Sequence, residues 1–339
     1  METRKLQEVG GGTFTVSIPK GWATNHGFEV GMELQLYTHR DGSILIRSSN
    51  ADVNCLDEAT VDIDGGGTEA VTRAVRTAHA VGFETITLRR VGTFTDAERK
   101  AVQATVRALV GTNILSESDA EITIRHLLDT SSASVCQSIV QLQYVVGSLL
   151  RDATAAFVDA ADTHAGIRDR ADEARRSAEM VTRHFSRSLV SHAELDALGV
   201  SRPELFAYYA IANRLETVAD QAVRIATTGK KLPEPPADKV ATDMHSVADD
   251  VAGAVDDAVT AVLDRDMTKA QRARDQCGDA VEGIEAVERR LYDESASGSV
   301  PVAVALSNAL SHQQRAADCG YYMADTAART AIRAENIDI

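Results

Sequence analysis

The sequence predicts a multidomain protein, in which a small N-terminal β domain and a small α/β domain precede an all-α pair of three-helix bundles. Three observations predict this fold class. Short alternating strand patterns separated by glycines fill residues 2–48, strand and helix patterns alternate over residues 50–127, and apolar residues recur at the helical period from Ser131 almost to the end. A chain of 339 residues is long for one hydrophobic core, which agrees with several domains.

The first domain, residues 1–48, is predicted to be a β unit that needs a second chain. A glycine turn at residues 10–12 separates two strands, and Asp41-Gly42 is a favourable pair for the turn of a later hairpin. So short a segment has too little core to be stable alone. The predicted elements are strands at 4–9 and 13–18, a helix from Pro19 to Ala23 that Gly27 ends, and a hairpin of 33–37 with 43–47.

Residues 50–128 are predicted to form the small α/β domain. The order βαβαββ indicates a partly parallel sheet, because a helical crossover is what joins two parallel strands. Gly65–Gly67 precede the first helix, but neither a Lys-Ser/Thr pair nor GxGxxG accompanies them, so we interpret them as a plain turn rather than a phosphate loop. The predicted strands are 59–63, 85–89, 113–115 and 121–125, and the predicted helices are 67–81 and 96–110.

Two sets of three long helices are predicted after residue 131. Short connections between the helices indicate antiparallel neighbours in up-down bundles. The proline-rich residues 230–240 are interpreted as a linker between the first bundle, 131–229, and the second, 241–333. The predicted helices are 138–158, 167–188 and 203–227 in the first bundle, and 244–263, 269–292 and 300–331 in the second.

The third helix of the first bundle carries the stretch around which the chain is organised, LETVADQAVRIA at residues 215–226. Ser201 and Glu204 form a capping-box pattern at the predicted start of this helix. Glu216 and Asp220 are four residues apart, so they share one face beside the apolar stripe. Two carboxylates at this spacing repel each other, and a hard cation between them removes the repulsion.

A fainter copy of this stretch occurs at residues 312–327, HQQRAADCGYYMADTA, with a constant offset of 98 residues. Asp318 then corresponds to Asp220, while the position of Glu216 is taken by Gln314. A repeat of this kind implies two copies of one helical unit.

The composition is acidic and poor in lysine. The formal net charge is −15 and the sequence pI is about 5.0, and only seven of the 35 basic residues are lysines. Such a balance resembles that of proteins from cells with a salt-filled cytoplasm, and an ordinary acidic helical protein is the alternative.

Several classes of protein are not favoured. The four cysteines show no CxxC spacing, which argues against a zinc ribbon and a disulfide framework. Neither a leader nor an apolar run long enough to span a bilayer is present, so we expect a cytoplasmic protein without membrane insertion. HExxH and GxSxG are both absent, and no pattern marks a nucleophile, so we do not expect an enzyme.

The N-terminal segment resembles the SpoVT/AbrB/MazE swapped-hairpin family. The shared features are a strand, a glycine turn, a second strand ending in Ile-Pro-Lys, a short helix, the step GxxxGMEL and a final hairpin. The resemblance implies an interleaved homodimer that binds DNA, with Arg4, Lys5 and Lys20 as the contact residues. The position before VSIP, often arginine in DNA-binding members, is Thr15 here.

Residues 131–333 resemble the phosphate-uptake regulator family PhoU. The third helix of each half of that family carries a signature similar to LERIADHAxxIA, which the first copy follows closely. The resemblance implies a multinuclear iron or zinc site on the helix face, with Glu216, Asp220 and Asp318 as ligands. The histidine that follows the aspartate in the family is replaced by Gln221 and Cys319.

Together the two resemblances imply a regulator of phosphate uptake or phosphate signalling that acts as a dimer at DNA. An alternative is an accessory protein that modulates a phosphate ABC transporter by contact with its ATPase, with the first domain as a dimer clamp only. A third class is a metal- or phosphate-binding storage protein. For the carboxylates, the alternative is a solvated face on which Asp220 pairs with Arg224.

Overall fold

The computed structural model describes residues 3–38, 42–48, 56–128, 134–159, 163–230, 232, 234–291 and 299–336. The chain divides into two compact units, Met1–Cys55 and Leu56–Ile339. Asp41, in the expected hairpin turn, and Lys231 and Pro233, in the expected linker, lie outside the described residues.

The first unit holds two β-hairpins with a short helix between them in sequence. Each hairpin is a two-stranded antiparallel sheet of its own, in which Gln7 faces Thr15 and Leu34 faces Ser48. No described residue of this unit is buried. The hairpins therefore leave their apolar side chains exposed or partly exposed within a single chain. The elements are β1 (Gln7–Val9), β2 (Thr13–Thr15), α1 (Lys20–Asn25), β3 (Leu34–Thr38) and β4 (Ile44–Ser48).

The second unit begins with a four-stranded sheet and two helices. The strand order is β5-β6-β8-β7, with β5 parallel to β6 and β8 antiparallel to both of its neighbours, which confirms the predicted partly parallel sheet. Gly66, at φ 88°, makes the left-handed turn into the first helix that the glycine run suggested. The elements are β5 (Glu58–Ile63), α2 (Gly67–Val81), β6 (Thr85–Arg90), α3 (Asp96–Ala108), β7 (Thr112–Glu117) and β8 (Glu121–His126).

The rest of the second unit is helical. Among the described residues, six long helices follow the order that the periodicity predicts, and a seven-residue helix that was not predicted precedes the third of them. The helices are α4 (Val135–Val158), α5 (His164–Ser188), α6 (His192–Leu198), α7 (Arg202–Gly229), α8 (Asp238–Asp264), α9 (Met267–Leu291) and α10 (Val300–Asn336). None of the described helices is long and apolar enough to cross a membrane.

The long helices pack as two sets of three. Helices α4, α5 and α7 pack against one another, and so do α8, α9 and α10, while α7 against α10 and α4 against α8 join the two sets. One hydrophobic core runs through both sets. Ala219 on α7 and Ala317 on α10, which correspond in the sequence repeat, are both buried in it.

The sheet lies against the helices through α2 and α5. Arg183 donates a hydrogen bond to the carbonyl of His79 at 2.8 Å, and Arg187 donates one to the carbonyl of Gly82 at 2.7 Å. An ion pair between Arg76 and Glu179 joins the same two helices. Polar contacts from arginines therefore connect this layer, which has its own hydrophobic core, to the bundle.

Candidate functional sites

The carboxylates expected to bind metal lie on α7, whose start is fixed as the sequence predicts. Ser201 is the N-cap and accepts a hydrogen bond from the backbone N–H of Glu204, while the Glu204 side chain accepts one from the backbone N–H of Ser201. This capping box satisfies two of the backbone donors that the first turn leaves free. Glu216 and Asp220 then lie beside the stripe that α7 buries in the core.

An arginine from α5 lies against both carboxylates. Nη2 of Arg175 is 2.8 Å from Oδ1 of Asp220, and Nε of Arg175 is 3.4 Å from Oε1 of Glu216. Asp172, one turn earlier on α5, lies 3.2 Å from the same guanidinium. The three side chains that pair with Arg175 are partly exposed, so the cluster is a polar contact at the rim of the core.

The electrostatics of the cluster reflect its partial burial. Burial raises the pKa of Glu216, and Arg175 opposes that rise while the carboxylates of Glu179 and Asp220 add to it. For Arg175, burial lowers the pKa, but Asp220, Glu216 and Asp172 outweigh it and the net pKa is raised. The guanidinium is therefore a permanent counter-cation for these carboxylates.

A surface pocket of about 500 Å³ opens beside the cluster, between α7 and α10. Glu216 and Asp220 of α7 line it, together with Tyr322 of α10. The guanidinium of Arg214 lies 4.1 Å from the centre of the Tyr322 ring, within cation–π distance. The pocket is thus walled by an aromatic ring and a cation as well as by acids.

The second copy of the motif has a different geometry. Gln314 donates a hydrogen bond to the exposed Asp318 at 3.3 Å. The residues that follow the two aspartates, Gln221 and Cys319, are buried. Oε1 of Gln221 is 2.9 Å from Nδ1 of His312 on α10, so this position links α7 to α10.

This donor set does not fit a multinuclear iron or zinc site. Within the described ranges, no three His, Cys, Asp or Glu side chains lie close enough together to hold a metal ion. Arg175 already pairs with Glu216 and Asp220, and Asp318 has an amide beside it where the family pattern has a second acid. Metal binding at Glu216, Asp220 and Asp318 is thus an expectation of the sequence resemblance alone, and the described residues offer no set of ligands for it.

The residues expected to contact DNA are all exposed in the first unit. Arg4 and Lys5 precede β1, and Lys20 is the first residue of α1. Because the β1–β2 ladder ends at the pair Gln7 and Thr15, the segments that carry these basic residues leave the hairpin at its open end.

Comparison with known proteins adds no family assignment. No family model matches the chain, and no curated protein matches it. The resemblances to the two families therefore rest on the sequence motifs. The structure contributes the pairing of two three-helix sets on one core and an N-terminal unit in which none of the described residues is buried.

Proposed function

We propose that this protein is a non-catalytic regulator of phosphate uptake or phosphate signalling, and that it binds DNA as a homodimer. The observation that carries the proposal is the pairing of the two three-helix sets through α7 and α10. These are the helices that hold the PhoU-like signature and its fainter copy. A chain built from two copies of one helical unit would place its two signature helices in equivalent positions.

The dimeric part of the proposal is supported by the exposed apolar side chains of the first unit. Phe14 is 67% exposed and Leu36 is 62% exposed, although both belong to strands. Strands that bury nothing within one chain require a partner surface to be stable. A second copy of the same unit supplies that surface with closed two-fold symmetry.

The DNA-binding part is supported by how the charge is distributed. DNA repels an acidic protein unless the basic residues are gathered in one region. Residues 1–48 contain as many basic as acidic side chains, so the net charge of −15 belongs to the remainder of the chain. A dimer doubles Arg4, Lys5 and Lys20, which gives roughly six contacts to phosphates or bases.

The test is a pull-down of genomic fragments from the source organism by the full-length protein, followed by sequencing. We expect enrichment of duplexes upstream of phosphate-transport genes, and loss of it in the double variant Arg4→Ala with Lys5→Ala. The matched control removes two exposed lysines elsewhere, Lys100→Ala with Lys239→Ala. If no fragment is enriched at any salt concentration, the DNA-binding proposal is wrong, and the alternative of a transporter accessory protein with a dimer clamp replaces it.

A further inference from the structure

A cavity of about 260 Å³ lies where the sheet layer meets the bundle, and we call it the junction cavity. Side chains from α2, β8, α4 and α5 line it, together with the segment that follows α3. The residues that matter for its chemistry are His79, His126, Arg176, Glu179, Met180 and Arg183. None of them belongs to the proposed DNA-binding segments, and Glu179 alone among them also acts on the carboxylate cluster, where it raises the pKa of Glu216.

The junction cavity holds a buried cation that forms no ion pair with the described residues. Arg183 is 2% exposed, and its hydrogen bond to the His79 carbonyl is the single one that its guanidinium makes to the described residues. No carboxylate of the described residues lies within 4 Å of it. Burial, and then the nearby Arg187, lower the pKa of Arg183 to about 10, while the more distant carboxylates of Glu194 and Glu84 oppose this shift, so Arg183 remains charged at neutral pH. A buried charge of this kind is costly unless an anion accompanies it.

Two histidines add polar atoms without partners. Nε2 of His79 and Nδ1 of His126 are buried and make no hydrogen bond to the described part of the chain. The two rings lie edge to face with their centres 5.6 Å apart. Burial, together with the charge of Arg183, lowers the pKa of His79 to about 3 and that of His126 to about 4. Both rings are therefore neutral near pH 7, and each offers one donor and one acceptor.

The other residues that line the cavity can contact a ligand larger than a bare ion. Oε1 of Glu179 pairs with Arg76, while Oε2 is buried with no partner among the described residues, so it can accept a hydrogen bond. Arg176 adds a second guanidinium, and Met180 and Leu109 add apolar surface. The volume exceeds that of an inorganic oxyanion, so apolar surface remains for the body of a ligand.

We propose that the junction cavity binds a small organic anion, with its phosphate or carboxylate group at Arg183 and Arg176 and its apolar body against Met180 and Leu109. Its oxygens accept from the guanidinium groups in charge-assisted hydrogen bonds, which are the stronger kind. Nε2 of His79 and Nδ1 of His126 are placed to complete its hydrogen bonds. A ligand that bridges α2, β8 and α5 would tie the sheet layer to the bundle, which makes the site suitable for an effector.

Calorimetric titration of the full-length protein at constant ionic strength tests this inference. The probes are phenyl phosphate, benzoate and the neutral benzyl alcohol. We expect at least one of the two anions to bind and benzyl alcohol not to bind. Tighter binding of phenyl phosphate assigns a phosphate ester, and tighter binding of benzoate assigns a carboxylate. No heat from either anion up to about 10 mM, or equal affinity for benzyl alcohol, would overturn the proposal.

Variants locate the binding. Arg183→Met should lower the affinity for the anion by about tenfold or more, because a charge-assisted hydrogen bond is lost. Arg168→Gln, at an exposed arginine of the same helix, should leave the affinity unchanged. Arg183→Met replaces a buried residue, so a loss of binding could be confused with a loss of folding. Arg176→Gln and the spectrum of the histidine rings in the wild type are tests that do not depend on how Arg183→Met folds. Ring signals of His79 and His126 that stay fixed while the anion saturates place the ligand elsewhere and refute the site.

Discussion

Nη2 of Arg175 donates to Oδ1 of Asp220 at 2.8 Å, and this contact joins α5 to α7 at the signature stretch. Glu216 shares the same guanidinium at 3.4 Å. The sequence offered a metal ion or Arg224 as the partner of these carboxylates, and the structure instead places Arg175 of α5 against both. The guanidinium relieves the repulsion between the acids without a metal ion.

The first prediction is that removal of Arg175 creates metal affinity. In Arg175→Ala the carboxylates of Glu216 and Asp220 lose their counter-cation, so zinc or ferrous iron should bind more tightly than it does to the wild type. Because the pair is partly exposed, the same change should cost only about 1 kcal/mol of unfolding free energy. Metal titration and chemical denaturation measure the two effects. Arg175→Lys, which keeps the positive charge, is the control.

The opposite outcome is that the wild type already binds metal. Elemental analysis of protein purified without chelator tests this directly. Stoichiometric metal in the wild type that disappears in Asp220→Asn would mean that Arg175 moves aside and that the PhoU-like metal site exists. We expect the wild type to contain less than one metal ion per chain.

The second prediction concerns acid. His79 is 3% exposed, and burial lowers its pKa from 6.5 to about 3. Between these two pKa values the unfolded chain binds a proton that the folded chain does not, so stability decreases as the pH falls through this window. From pH 7 to pH 5 the loss from His79 alone is about 2 kcal/mol.

Denaturation of the full-length protein at pH 7 and pH 5, at one high salt concentration, measures this difference. His79→Gln should reduce the difference by about 2 kcal/mol. Val75→Ala, which truncates a buried residue of the same helix without changing a titratable group, should lower stability equally at both pH values. An unchanged difference in His79→Gln would mean that folding does not lower the pKa of His79.

The third prediction uses two helical glycines in the second set of helices. A Cβ at Gly320 of α10 would lie 2.7 Å from Sγ of Cys277, whereas a Cβ at Gly253 of α8 meets no atom within 4 Å. Gly320→Ala should therefore destabilise the protein by about 1–3 kcal/mol through overpacking. Gly253→Ala should stabilise it by up to about 1 kcal/mol, because alanine is the better helix former. Melting temperatures of the two variants would move in opposite directions; a shift in the same direction would refute this packing.

Local signals in the sequence explain why most of the fold was predictable. The helix at Gly67–Val81 has the predicted bounds because left-handed glycines stand at both ends, Gly66 and Gly82. The start of α7 was predictable because Ser201 and Glu204 form a capping box within four residues. By contrast, α6 has seven residues and no strong period, so its pattern could not be separated from a loop.

The contacts that define the sites were not predictable, because they are long-range. Arg175 and Asp220 are 45 residues apart, and their pairing depends on how α5 and α7 are rotated against each other. His79, His126 and Arg183 come from a helix, a strand and another helix, and no spacing in the sequence marks them as a set. The repeat places Asp318 on a helix, α10, and the neutral Gln314 that the sequence puts one turn before it donates a hydrogen bond to Asp318.

The last prediction is that the full-length protein is a homodimer held by its first unit. Phe14 and Val9 are 67% and 56% exposed in a hairpin that buries nothing of its own. Covering such side chains gains about 25 cal/mol per Å² of apolar surface, and a second copy supplies the surface that covers them.

Light scattering at micromolar protein in concentrated KCl should give twice the chain mass. Dilution into low salt should weaken the dimer, because the unscreened charge of −15 per chain is repulsive. Phe14→Ser should shift the equilibrium towards monomer, while Leu115→Ser, at a 54% exposed position of β7, should not. A monomer at high salt would instead require that the exposed hairpins bind a different partner.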